Sequence, residues 1–325
     1  MSSLHLKQAE FAGWPQALWV ESDRLTLVLV PQVGGRIMGL RWGQQDLFWV
    51  NDALAGKPVD VQTLQNPTLD KVAWGFLLWG GNKTWLAPQE RWTQGLPFVD
   101  LDSGAYAVEV LEATTNQVKL VLTSPICRET NIQVTRTITV NPACWRITHQ
   151  LENRGDRSAN WGIWSNSMVR RPAQVFLPLG PTSAFEYGVK TFVNEGNSVA
   201  ARSRVVAHPQ DMAVIQCQVP LKFKFGVDSD QGTVLTVTPL EGGQYLGWLS
   251  QFATFPDEPY GHGCTAEVFN AVDYDYLEVE IHSPVRSLAP GETFAFTENN
   301  RLVTLDALPA VVDDFQALQL LGGLC

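Results

Sequence analysis

Apolar and polar residues alternate with a period of two along most of this chain, the pattern of strands with one face against a core. Leu25 to Val30 is a β-run closed by Pro31 and Gly34-Gly35. Arg36 to Trp42 resumes the extended pattern, which predicts a hairpin, and Gly43 to Asp46 turns the chain into Leu47 to Val50. Further runs follow at Tyr106–Ala113, Gln117–Ser124, Ile132–Val140, Trp145–Leu151, Ala213–Val219, Leu221–Val227, Thr233–Leu240, Thr265–Phe269, Tyr276–Ser283 and Thr293–Thr297. They are punctuated by Thr-Thr-Asn, Ser-Pro, Asn-Pro and Asn-Arg-Gly-Asp turns. Helical periodicity is confined to Val311–Leu321. About fifteen short strands and so little helix predict an all-β protein, a large β-sandwich. No repeat, low-complexity segment or linker divides residues 1–325, so one domain is expected.

One stretch escapes the pattern. From Asn51 to Trp79 no period persists, and Gly80 to Trp92 concentrates a glycine pair, two cations, a carboxylate, two amides and two indoles in thirteen residues. This composition reads as a binding loop: glycines permit close backbone approach, and Trp85 and Trp92 offer flat apolar faces with a polar rim. Lys83, Gln89, Glu90 and Arg91 supply donors and acceptors that fix the orientation of a hydroxyl-rich or carboxylate ligand. The alternative is that both indoles belong to the core and the charges face water.

Composition narrows the partners. A net charge of −10 and a sequence pI near 5.0 argue against nucleic acid, whose binders carry a basic patch. No apolar run is long enough to span a membrane and the N-terminus lacks a leader-like segment, so a cytoplasmic protein with no membrane partner is expected. Twelve tryptophans favour a pocket for a flat or sugar-like small molecule. Oligomeric state is not legible.

Five scattered cysteines make no C-x-x-C pair, and reduced, buried thiols are the default. Asp228 to Gly232 imitates the start of a calcium loop, but Pro239 stands where the bidentate glutamate belongs. His282 shares a strand face with Glu278 and Glu280, a triplet that a polar sheet face explains as well as a metal does. His149 alternates with apolar neighbours and reads as a core histidine. No metal and no cofactor are expected.

Leu29 to Trp49, with Pro31, Gly34-Gly35-Arg36 and Asp46-Leu47-Phe48-Trp49, resembles the opening of galactose mutarotase-like (aldose 1-epimerase superfamily) domains. Ala266-Glu267-Val268-Phe269, Tyr276 to Glu280 and Leu288-Ala289-Pro290-Gly291-Glu292 resemble the closing strands of the same fold. The similarity is nearest to an uncharacterised branch of the superfamily. It implies a supersandwich with a sugar on its concave sheet, a late-strand glutamate as base and a mid-chain histidine as acid. Glu267 matches the glutamate by order along the chain. Where the histidine is expected the chain reads Asn160-Trp161-Gly162-Ile163-Trp164-Ser165-Asn166. His262, in the loop before Glu267, is the candidate substitute, since imidazole titrates near neutrality. The implied cleft is lined by Lys83, Trp85, Glu90, Arg91, Trp92, Trp164, Asn166 and Glu267. Three readings stay open: an aldose epimerase-type isomerase, a non-catalytic carbohydrate-binding protein, and a scaffold with a vestigial cleft.

Overall fold

The computed structural model describes residues 3–59, 75–192, 205–208 and 212–309. In chain order its strands are β1 (His5–Phe11), β2 (Trp14–Glu21), β3 (Leu25–Val30), β4 (Arg36–Trp42), β5 (Gln45–Asp46), β6 (Gly81–Ala87), β7 (Ala107–Ala113) and β8 (Val118–Thr123). Then come β9 (Ile132–Asn141), β10 (Cys144–Asn153), β11 (Ala159–Arg170), β12 (Ala173–Pro178), β13 (Lys190–Thr191), β14 (Val205–His208), β15 (Met212–Cys217) and β16 (Phe223–Val227). The last six are β17 (Thr233–Pro239), β18 (Tyr245–Phe252), β19 (Ala266–Asn270), β20 (Tyr276–His282), β21 (Arg286–Leu288) and β22 (Thr293–Leu305). The helical candidate Val311–Leu321 lies outside the described residues. No helix among the described residues is long and apolar enough to cross a membrane.

The strands form two sheets. One has twelve strands, with the order β1-β2-β3-β4-β6-β11-β20-β19-β16-β13 and β5 and β21 beside it; the other has ten, β14-β15-β12-β17-β18-β22-β10-β9-β8-β7. The protein is therefore the all-β sandwich that the alternating pattern predicts. The cause is plainest in β9, where Ile132, Val134, Arg136, Ile138 and Val140 are buried and the residues between them are not. The largest core cluster draws on both sheets, with Leu27, Leu86, Ile163 and Ile281 from one and Leu120, Ile138, Ile147 and Leu302 from the other.

Two polar groups cross this core and fix β6. Arg136 donates to the Gly35 carbonyl (2.6 Å) and to the Asn82 carboxamide oxygen, while His149 Nδ1 meets Thr84 Oγ1 at 2.8 Å and its Nε2 lies 3.2 Å from Glu298. Buried polar groups are stable only when partnered, so these contacts set the register of β6. By the period of two, Asn82 and Thr84 face the core while Lys83 and Trp85 face the other way.

The structure corrects the reading of Gly80–Trp92 as an irregular loop. Gly81–Ala87 is a strand buried on both faces, and such strands lose the alternation that betrays them. The glycine pair serves the fold: at φ +105° and +67°, a Cβ on Gly80 or Gly81 would sit 2.3 Å from the Trp49 carbonyl oxygen or 2.4 Å from that of Ile37. β1 and β2 also escaped the pattern, β1 because it is a largely exposed edge strand. β22 runs eight residues past Thr297, because Glu298 and Asn300 are polar side chains at buried positions.

Candidate functional site

The outer face of the twelve-stranded sheet carries an unusual density of buried charge. Register puts Lys83 of β6 beside Asn166 of β11, Asn166 beside Glu280 of β20, and Glu280 beside Glu267 of β19. One row of polar side chains thus crosses four strands. Along β20, Tyr276, Glu278, Glu280 and His282 share this face by the period of two.

Above the row lies a cleft of about 520 Å³, walled by Phe76, Trp85, Trp164, Phe269, Tyr274 and Tyr276, with Lys222, Lys224, Glu278 and Glu280 among its polar groups. A second cleft, of about 320 Å³, rests against β1 to β4; Glu10, Arg41, Asp46, Asp52 and Arg170 line it and none of them is buried. Buried ionisable groups gather only at the larger of these two.

The indoles form one cluster. Trp85 meets Trp164 edge-on at 5.0 Å and Trp92 at 5.3 Å between ring centroids. Trp85 Nε1 donates to Asp102 Oδ1 (2.7 Å), which also accepts from Arg36 Nη2 (2.6 Å). Lys83 Nζ sits 4.2 Å from the Trp85 ring centroid, donates to Asn166 Oδ1 (2.8 Å) and lies 3.4 Å from Glu278. Burial depresses the Lys83 ammonium, against the pull of Glu278.

Lys224 of β16 is the centre of the charge cluster. Its Nζ lies 2.6 Å from Glu267 Oε2 and 2.9 Å from Glu280 Oε2. Glu267 Oε1 accepts from His262 Nδ1 (3.0 Å), whose Nε2 accepts from the Gln89 N–H (3.2 Å), so both ring nitrogens of His262 are engaged. His282 Nε2 is 3.5 Å from Glu267 Oε2, within electrostatic reach but out of hydrogen-bond alignment.

One ammonium serves two carboxyls, and their surroundings push the two in opposite directions. For Glu267, burial pushes the pKa up, but His282, Lys224 and the hydrogen bond from His262 outweigh it and hold the carboxyl well below its ordinary value. For Glu280, burial and the charges of Glu267 and Glu278 outweigh Lys224 and raise it to about 8. Burial depresses His282 to about 4 against the attraction of Glu267, so it is neutral at pH 7. Lys224, though buried, is held above its usual value by Glu280 and Glu267.

Glu267, His262, Lys83, Trp85, Trp164 and Asn166, all singled out in the sequence, come together here. Trp92 is packed behind Trp85 and Trp164, with its Nε1 on the Leu86 carbonyl (2.7 Å), and does not line the cleft. Glu90 and Arg91 are exposed on a 3-10 turn outside it, and Arg91 donates to the Asn160 carbonyl (2.7 Å). Glu267 itself has no exposed surface and lies beneath the lining groups. Lys224 and Asp102 escaped sequence reasoning, which marks Glu280 only as sharing a strand face with Glu278 and His282. The signal for Glu280 was present in the Glu278-Glu280-His282 alternation, whereas Lys224 meets both carboxylates only through sheet pairing.

His262, Glu267 and His282 also bring one ligand atom each within 4.8 Å of one another, a donor set that suits a divalent transition metal. Lys224 already supplies the positive charge there, and a metal on Glu267 Oε2 would meet its ammonium at contact distance.

This architecture is the galactose mutarotase-like β-sandwich. Solved structures share it: a Klebsiella pneumoniae protein proposed to be an aldose 1-epimerase (TM-score 0.63, 14% identity, covering 98% of this chain and 88% of that one) and a galactose mutarotase-like protein from Clostridium acetobutylicum (0.55, 10%, 94% and 99%). A galactose mutarotase-like protein from Lactobacillus casei superposes similarly (0.54, 9%, 88% and 100%). Identities this low show the fold alone. No family model matches the sequence, and no curated protein does.

Proposed function

We propose that the protein binds a neutral pyranose in this cleft and interconverts its anomers as an aldose epimerase-type isomerase, with Glu267 as general base. Opening a hemiacetal needs one group to take the anomeric hydroxyl proton and another to protonate the ring oxygen. The observation that carries the reading is two carboxyls opposed across β19 and β20 on one lysine beneath an aromatic cleft, one pushed down and the other up, since divergent environments divide acid and base roles. Further support comes from two buried polar atoms of the cleft lining without a hydrogen bond inside the described protein, Trp164 Nε1 and Glu280 Oε1. Such atoms at a cleft floor are the natural partners of sugar hydroxyls. A neutral sugar is favoured because both buried cations are paired, Lys83 with Glu278 and Lys224 with two glutamates; of the lysines lining the cleft, the exposed Lys222 is the one left to meet an anionic group.

The test combines thermal shift with NMR exchange spectroscopy of glucose, galactose and their phosphorylated and uronic forms. A neutral sugar should raise Tm and exchange its anomers faster than it does spontaneously. Glu267→Gln should lower the rate by on the order of 10²–10⁴ while leaving affinity nearly unchanged.

A second reading, a non-catalytic carbohydrate-binding protein, is favoured by the complete burial of Glu267 and the full engagement of His262. Under it, wild type and Glu267→Gln bind the sugar alike and neither changes the spontaneous anomerisation rate.

A further inference from the structure

We propose that Glu280 is the proton donor of this site, so that its acid is a carboxyl on β20 and not a histidine. The proposal rests on the epimerase reading above and assigns its second group.

The geometry sets three requirements. The anomeric oxygen and the ring oxygen are bonded to the same carbon, so acid and base must be near neighbours. Glu267 and Glu280 are directly opposed across β19 and β20, and their Oε2 atoms share the Lys224 ammonium. The acid must reach the ligand; Glu280, as fully buried as Glu267, borders the cleft where Glu267 does not, and its Oε1 is unbonded within the described protein. The acid must also have a proton to give. His262 offers its Nδ1 proton to Glu267 and uses Nε2 to accept from the Gln89 amide, and His282 packs under the Trp164 ring outside the cleft lining. Lys224 keeps its proton too firmly, with the Glu267 carboxylate 2.6 Å from its ammonium.

The groups facing Glu280 are Lys224 from β16, Glu267 from β19, the neutral Asn166 from β11, and Glu278 and His282 on its own strand; Lys83 of β6 acts from behind Asn166 and Glu278. Their balance retains the proton, consistent with a value of about 8.

The step balances. Glu267 takes the anomeric hydroxyl proton, the electron pair of that O–H bond closes the carbonyl, the bond from C1 to the ring oxygen breaks, and the ring oxygen takes the Glu280 proton. After rotation about the C1–C2 bond the same transfers run backwards, and each carboxyl recovers its starting state.

The experiment measures anomer exchange of glucose and galactose against pH in the full-length wild type and Glu280→Gln, with a ¹³C-carboxyl NMR titration of the wild-type glutamates. Expected are a carboxyl titrating near 8 that is absent from the variant, a wild-type kcat/KM that falls above that pH, and a loss of kcat in Glu280→Gln of on the order of 10²–10⁴ with little change in KM. Glutamine keeps a hydrogen-bond donor, so a variant retaining most of its rate would overturn the proposal and leave the epimerase reading standing. A Glu280 that titrates in the ordinary carboxylate range would overturn it even if the variant failed to fold. A wild type that binds sugar without accelerating exchange would overturn both readings together.

Discussion

Glu267 and Glu280 face each other on adjacent antiparallel strands and share a single lysine, Lys224, at 2.6 Å and 2.9 Å. Like charges opposed across a sheet repel, so the pair persists because one cation and one retained proton divide the charge. Stability, pH response and the proposed chemistry all pass through this arrangement.

Removing the cation should be costly. Lys224→Met leaves a buried carboxylate uncompensated, and losing one partner of a buried ion pair costs about 3–5 kcal/mol. Urea denaturation measures the loss, and adding Glu280→Gln should recover little of it, because the uncompensated charge is on Glu267. A cost below about 1 kcal/mol, the scale of exposed ion pairs, would mean that water reaches the cluster.

The cluster also shapes the pH dependence of folding. Glu280 is raised from 4.5 to about 8, so between these values the folded state holds a proton that the unfolded chain has released, and stability falls as pH rises. His282 is lowered from 6.5 to about 4, so its contribution rises with pH over that window and partly cancels the first. Between about 6.5 and 8 the Glu280 effect is unopposed by His282. Stability should drop there by up to about 1.4 kcal/mol per pH unit, the full effect of one proton. Glu280→Gln should flatten this slope in denaturation curves taken at several pH values.

Trp85 both lines the cleft and packs in the indole cluster. It is 6% exposed and edge-on to two other indoles, so Trp85→Ala should cost about 3–5 kcal/mol, in the range of a deleted core aromatic. Trp85→Phe keeps most of the apolar contact but gives up the Nε1 bond to Asp102, and should fold with weakened sugar affinity. Calorimetric binding beside thermal melting separates the two effects. A Phe variant that binds as wild type would remove Trp85 from the ligand wall.

Asp102 stands behind that indole. It joins Trp85 Nε1 to the buried Arg36 guanidinium, whose side chain is 1% exposed. Asp102→Ala should therefore cost about 3–5 kcal/mol by leaving Arg36 unpaired. Its denaturation midpoint should fall accordingly, while a surface change such as Glu90→Ala moves it little.

Much of this was legible in the order of residues. Strict alternation in β9 and β10 exposes which face of each strand meets the core, because a strand with one wet face must obey a period of two. The same period in Ala266 to Phe269 separated Glu267 from its apolar neighbours. β6 was illegible for the opposite reason: with both faces covered, polar Asn82 and Thr84 bond into the core, Trp85 lines the cleft, Lys83 is buried against Asn166 and Glu278, and no alternation survives.

The sequence by itself determined the fold class and marked several residues that the structure brings to one cluster, because burial periodicity and turn chemistry are local properties of the chain. The tertiary structure alone decided that Lys224, Glu267 and Glu280 form one charge cluster, that Trp92 packs behind the cleft, and that Glu90 and Arg91 stand outside it. These outcomes depend on which strands pair and in what register. Lys224 is forty-three residues from Glu267 in the chain and 2.6 Å from it in space, a proximity that the β16–β19 pairing creates.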